Sequence, residues 1–400
     1  MRAALAAALL AASAGMAVAA ESLPRFQQDR FGIGLWCGPP AGEQNEARYR
    51  EIAEAGFTFV IGGGGGSAPE AVRRELDLCA GQGLKAIVPL GEQPEVAAAH
   101  EACWGFILRD EPNARDFPGL AEQVRALRER CPGRLAYVNL FPNYASREQL
   151  GTESYEEHVG RFMAEVDPDV LSMDHYPLMT PKQDGREAYC ENLEVMRRHS
   201  LAKGVPFWNF FNTMPYGPHR DPTEAQLRWQ VHASLAYGAK GVMYFCYWTP
   251  RGEEFPKGGA ILRADGTRTR HYAEAQRINA GLRRWGPTLM QLRSTGVLRI
   301  PAGGNATAML AGTPVAALSE DNYLVGFFEH ADGRRAVLLV NHDIAYAVWP
   351  TIAFRDEGVL EVSAATGEAA PPVDESPDMP GLQVPMDAGA ARLFLLPAGA

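Results

Sequence analysis

Two carboxylates close an apolar run in Cys103-Trp104-Gly105-Phe106-Ile107-Leu108-Arg109-Asp110-Glu111-Pro112. The run reads as a short buried strand, and a carboxylate pair at its end costs free energy unless it is solvated, paired or used. Glu111 is the leading catalytic candidate. A glutamic acid partly buried beside a second carboxylate keeps its proton to higher pH and can donate it to the leaving oxygen of a glycosidic bond. Asp110 points to the other face of the strand, where it can orient neighbours or bind a hydroxyl. The competing reading is that the pair caps the next helix, with Pro112 in its first turn.

Asp174-His175-Tyr176-Pro177 is the second constellation. Asp174 is the candidate partner carboxylate, His175 a hydroxyl-binding or proton-relaying group, and Tyr176 a stacking wall. An Asp–His pair that merely shapes the loop is the plainer alternative. Trp36, Asn139, Asn143, Asn209, Asn212, Tyr247 and Trp248 end other apolar runs. Carboxamides and aromatics in this mixture suit sugars, whose hydroxyls take paired polar partners and whose C–H faces lie on rings. Glu92, Glu253 and Glu254 remain spare carboxylates. The run Gly62–Gly66 lacks the endings of phosphate-binding loops, so it is expected to let the backbone bend or approach a substrate closely.

These residues need a frame that gathers strand ends. Apolar β-rich runs at 31–37, 57–62, 84–90, 103–109, 134–141, 169–174, 205–211 and 241–248 alternate with stretches of helical period. Pro69–Gln82, Gly119–Arg130, Tyr155–Val166 and Tyr272–Trp285 are such stretches. Eight strands each followed by a helix is the count of a (β/α)₈ TIM barrel, assigned to residues 21–290, whose chemistry sits at the carboxyl ends of the strands. From 291 to 400 the texture changes. Tyr323–Glu329, Arg335–Asn341, Val348–Phe354 and Leu393–Leu396 read as strands with turns and no helix between them, which predicts a small antiparallel β-sandwich. Pro371–Pro380 is read as a loop within it.

Residues 1–20 have a charged start, an Ala/Leu middle and small residues at Ala17-Val18-Ala19, the pattern of a secretory signal peptide. A secreted or periplasmic location is therefore expected, with no membrane insertion. A formal charge of −10 and the absence of a Lys/Arg-rich run argue against nucleic acid. Six cysteines show no metal-ligand spacing, so neither a metal nor a cofactor is expected. A Cys103–Cys131 disulfide and a set of buried thiols are equally compatible with them.

The pattern resembles the clan A glycoside hydrolases and the β-galactosidase-like exported barrels near them. Asp110-Glu111-Pro112 stands where that clan carries Asn-Glu-Pro at the end of its fourth strand, which implies an acid/base role for Glu111. The clan's nucleophile is a Glu at the end of strand seven, and Asn209, Phe211 and Asn212 stand there in this chain. The carry-over stops at Glu111, and the resemblance implies an exported hydrolase of oligo- or polysaccharides whose second carboxylate is Asp174, with the two roles open to exchange, or one of Glu92, Glu253 and Glu254 from a loop. A carbohydrate-binding pseudoenzyme, or a metal-dependent hydrolase using Asp110, Glu111, Asp174 and His175, would be the alternatives.

Overall fold

A computed structural model describes residues 23–398, apart from Gly63, Pro181, Lys182, Glu254 and Pro256. Residues 1–20, read as a leader, and the spare carboxylate Glu254 lie outside the described residues. The first eight strands are β1 (Gly32–Trp36), β2 (Phe59–Ile61), β3 (Lys85–Pro89), β4 (Cys103–Asp110), β5 (Leu135–Leu140), β6 (Leu171–Asp174), β7 (Phe207–Asn212) and β8 (Gly241–Phe245). They pair in sequence order, all parallel, and β1 closes on β8 through Gly32↔Gly241 to Leu35↔Tyr244.

Successive strand residues face opposite sides, so each barrel strand feeds two cores. Phe59, Trp104, Tyr137, Trp208 and Met243 point inward and fill the lumen, with Trp104 and Trp208 stacked at 6.0 Å. Two glycines make room for these rings. A Cβ on Gly34 would stand 2.4 Å from Phe59, and one on Gly241 would stand 2.6 Å from Trp208. The lower barrel is thus plugged with rings, and in such barrels chemistry sits at the upper mouth.

The other face packs on helices α1 (Glu46–Glu54), α2 (Pro69–Gly81), α3 (Pro94–Ala98), α4 (Phe117–Arg130), α5 (Arg147–Leu150), α6 (Tyr155–Glu165), α7 (Arg186–Lys203), α8 (Glu224–Ala236) and α9 (Arg270–Gln291). Pro69 opens α2, where its missing N–H costs nothing. The expected helices are all present, their ends moved by a few residues.

α9 passes directly into β9 (Leu292–Ile300), at Gln291/Leu292. After the short helix α10 (Ala306–Met309) come β10 (Val315–Leu318), β11 (Tyr323–His330), β12 (Arg334–Asn341), β13 (Thr351–Phe354), β14 (Leu360–Val362), β15 (Ala369–Ala370), β16 (Leu382–Gln383) and β17 (Ala391–Ala398). They form a six-stranded antiparallel sheet, β15-β14-β17-β12-β11-β9, facing a three-stranded one, β10-β13-β16. Val325, Val337, Ile352 and Phe394 fill the space between the two. The larger sheet seats on α8 and α9. Trp229 donates to His342 at 3.0 Å, Trp285 to the Val362 carbonyl at 2.8 Å, and a Cβ on Gly326 would meet the Ala236 carbonyl at 2.5 Å.

The cysteines correct one expectation. All six are free thiols, Cys103 and Cys131 included, and five of them are buried. Cys103 is packed into the barrel wall with its thiol turned to the Gly105 carbonyl at 3.8 Å. Thiols in a large core take the part of small apolar side chains.

Candidate active site

β4 sets the site by its last residue and the one that follows it. Asp110 lies in register with Asn139 of β5, and the Glu111 N–H donates to the Asn139 carbonyl at 2.8 Å. That bond holds Glu111 at φ 46°, in the left-handed region that a side chain with a Cβ rarely adopts. Such strain costs of order 1–3 kcal/mol and clusters where function over-determines the backbone. The capping alternative for the pair does not hold. Asn113 caps the next turn, accepting from Arg115 N–H at 3.0 Å and closing a capping box with Asp116. Neither carboxylate of the pair caps that turn, and both stand at the barrel mouth.

Alternation then supplies the rest. Tyr137 and Asn139 of β5 point inward, as do Ser172 and Asp174 of β6 in register beside them. The Asn139 amide nitrogen donates to Asp174 Oδ1 at 2.9 Å and to Asp110 Oδ1 at 3.3 Å. One nitrogen touching both aspartates brings Asp110, Glu111 and Asp174 into one cluster at the ends of strands four and six.

Three carboxylates so close cannot all ionise cheaply. Burial pushes Glu111 up to about 7, helped by the neighbouring Asp110. Asp174, 8% exposed, is held well above the ordinary carboxylate range by burial, then by Glu111 and Asp110, against the pull of Asn139. Asp110 is raised by burial and partly restored by the same amide. Asp110 is nonetheless exposed to solvent at the end of β4, and Glu111 is half-buried. At neutral pH the cluster therefore keeps protons that isolated carboxyls would have lost.

Aromatic rings form the wall. Tyr176 packs on Phe245 at 5.3 Å and on Tyr216 at 5.7 Å, and Tyr216 on Phe255 at 5.7 Å. Trp36 stands across the mouth, edge-on to Phe210 at 6.1 Å. Tyr144 is half open to solvent, with its hydroxyl meeting the Tyr176 backbone and the charges of Asp174 and Glu111. Tyr144 and Tyr216 were not singled out from the sequence. Both lie on loops after strands, where no periodicity marks which residue turns inward. The signal that could have found them was their place within four residues of strands five and seven.

Four expected sugar ligands face the other way. Asn209 points to the helices, donating to Tyr189 Oη at 2.7 Å and Ser234 Oγ at 3.0 Å. His175 follows the inward Asp174 and so points outward, its Nδ1 against Asn192 Oδ1 at 2.9 Å. Burial lowers its pKa to about 4, which keeps the ring neutral. Tyr247 and Trp248 leave the barrel because β8 ends at Phe245. Their N–H groups bond the Trp36 and Cys37 carbonyls, Tyr247 packs on Phe57, and Trp248 lies under Arg48. Asn143 likewise serves its loop, donating to Ala188 O and Asn192 Oδ1. Glu92 and Glu253 are exposed. In the glycine run, a Cβ on Gly64 would stand 2.3 Å from the Pro39 carbonyl. The close approach there is to the loop after β1.

Asn212 is the strand-seven residue that does share the inner face, in register with Phe245. It is fully buried, and neither amide atom has a hydrogen-bond partner among the described residues.

The comparisons agree with this frame. A family model described as "Glyco_hydro_42: Beta-galactosidase" matches residues 119–285. That span holds Asn139, Asp174 and Asn212 but begins after Glu111, whose assignment rests on strand position and chemistry. A β-galactosidase of Haloferax lucentense is 31% identical over 131 residues, which span 28% of this chain and 19% of that protein. A catalytic mutant of a GH42 β-galactosidase from G. stearothermophilus superposes with a TM-score of 0.61 at 9% identity, covering 93% of this chain and 99% of that one. A β-galactosidase from Bacillus circulans sp. alkalophilus gives 0.61 at 9% identity, covering 92% and 99%. The closed parallel barrel with its antiparallel sheets is a fold shared with those β-galactosidase structures.

Proposed function

We propose that this protein is an exported glycoside hydrolase of the β-galactosidase kind, with Glu111 as acid/base and Asp174 as its partner carboxylate. One observation carries the reading: Glu111, raised to about 7, stands beside Asp110 and Asp174 at the mouth of a barrel otherwise plugged with rings. Its proton is available at neutral pH for the leaving oxygen, and its carboxylate can then take a proton from the incoming water. Trp36, Tyr144, Tyr176 and Tyr216 supply ring faces for a sugar, and Asn212 supplies an unpaired amide for a hydroxyl. Export rests on the pattern of residues 1–20.

Asn212 also favours a second reading. It stands at the inner end of strand seven, where clan A barrels carry their nucleophile, and a barrel that only binds glycans would tolerate it. Aryl β-galactosides, other aryl glycosides and polysaccharides, offered to the wild type and Glu111→Gln, decide between the two. Turnover lost in the variant supports the hydrolase. Turnover that survives the substitution overturns the role of Glu111. Glycan binding by both proteins with turnover by neither selects the binding protein.

A further inference from the structure

The inner face of β5 and β6 holds a row of buried polar groups whose donors and acceptors run in one order. Asn139 Oδ1 can only accept, and Ser172 Oγ lies 3.0 Å away, so Ser172 gives it its single proton. Tyr137 Oη lies 2.9 Å from the same Ser172 Oγ and must then donate to it. The row is directed: Tyr137 to Ser172, Ser172 to the Asn139 oxygen, and the Asn139 nitrogen to Asp174 and Asp110. Tyr137, Ser172 and Asn139 are 1%, 0% and 4% exposed, and the Tyr137 ring packs on Trp208 at 6.2 Å in the aromatic plug. Water has little access to compete with this order. Turning the amide over would set its oxygen against two carboxylates and its nitrogen against a hydroxyl whose proton is already committed.

We propose that Tyr137, Ser172 and Asn139 form a directed hydrogen-bond ladder that fixes the two aspartates and weakens the hold of Asp174 on its proton. Asn139 is thereby a positioning residue, where the sequence had suggested a sugar ligand. The effect follows from what each carboxylate receives. Asp174 and Asp110 each take an amide N–H, which favours the ionised form. That pull opposes burial and the charges of Glu111 and Asp110, which raise Asp174, while Glu111 is raised by burial and Asp110. The groups facing Asp174 are Asp110 and Glu111 from β4, Tyr137 from β5, and Tyr144 and Tyr216 from the loops after β5 and β7. Tyr155 of α6 and its own neighbour Tyr176 complete the set. None of them is a cation, so the Asn139 amide, together with a backbone hydrogen bond at Asp174, opposes the repulsion.

The inference rests on the hydrolase reading for its effect on catalysis, but its electrostatic part can be measured without turnover. Ser172→Ala and Tyr137→Phe are each small changes that break the ladder at a different rung. Carboxyl ¹³C titration of Asp174 in the wild type and both variants should move upward by about one pH unit in each variant. The acidic limb of kcat/KM should move upward with it, a tenfold loss on that side, where a purely structural defect would lower the plateau and leave the limb in place. An Asp174 titration that stays within about 0.2 unit of wild type in both folded variants overturns the ladder. If the titration moves while the wild type turns over no substrate, the ladder stands and the hydrolase reading fails.

Discussion

Strands five to seven carry buried polar networks on both faces, and the two end differently. On the outer face Asn209 gives both amide protons to Tyr189 and Ser234, whose hydroxyls lie 2.9 and 2.8 Å from the Gln230 carbonyl. The donors of that network are spent within it, and it bolts β7 to α7 and α8. On the inner face the ladder through Asn139 ends on Asp110 and Asp174, ionisable groups that open to the mouth. A network without titratable ends rigidifies the fold. One that ends on crowded carboxylates stores an electrostatic conflict that a substrate can relieve, and such conflict marks functional sites.

The comparison breaks most visibly at its catalytic end. Glu111→Gln keeps size and hydrogen bonding but removes the proposed proton donor, so turnover of an activated or natural glycoside should fall by about 10²–10⁴-fold with folding intact. Asp174→Asn should also cost about 10²-fold or more. If steady-state rates for either variant stay within a few-fold of wild type, the inner network has been assigned the wrong task.

A sharper contrast uses two asparagines three residues apart on β7. Asn209→Ala strands two buried hydroxyls and should cost about 1–3 kcal/mol in urea unfolding, with kcat and KM unchanged where the protein remains folded. Asn212→Ala removes an amide with no hydrogen-bond partner among the described residues, so its unfolding midpoint should shift far less, while KM rises as the proposed sugar contact is lost. Equal destabilisation by the two would erase the distinction between the faces.

Those asparagines also mark how far the sequence could be read. The barrel was legible because each strand is an apolar run of ordinary length followed by a helical period, and the carboxylate pair after β4 was legible because it breaks such a run. Which side of the strand a polar residue takes was not. Period two fixes the face only once the register is known, and a shift of one residue exchanges Asn209 for Phe210. The bulge between Ile107 and Arg109 shows the same uncertainty within β4. Tyr247 and Trp248 were misplaced because the expected strand ran three residues past Phe245. In the sandwich, β9, β10 and β14 to β16 were missed because they are short or follow a helix without a turn.

Proton linkage offers a test that needs no substrate. Glu111 has a folded pKa of about 7, above that of an unfolded glutamate, so the folded state binds its proton more tightly. Its ionisation costs stability as pH rises from the unfolded value toward 7. Glu111→Gln should accordingly raise Tm at pH 8, and the gain should vanish near pH 4, where both forms are neutral. A Tm difference that stays constant across that range would place Glu111 in ordinary solvent.

His175 gives the smallest and opposite signal. Its folded pKa of about 4 lies below the unfolded 6.5, because burial disfavours the charged ring that Asn192 only partly supports. The stability that the neutral ring contributes is present above 6.5 and is lost as pH falls toward 4, by up to about 3 kcal/mol for a shift of this size. His175→Gln retains a hydrogen-bonding group toward Asn192 and cannot charge, so it should flatten part of the fall in Tm between pH 7 and 4.5. His158, His219, His232 and His342 are lowered in the same direction and leave the remainder of the slope in place. Turnover at pH 7 should be almost unaffected, since the ring faces α7. A large loss of kcat at neutral pH in a folded His175→Gln protein would return the histidine to the inner network and blur the line between the two faces.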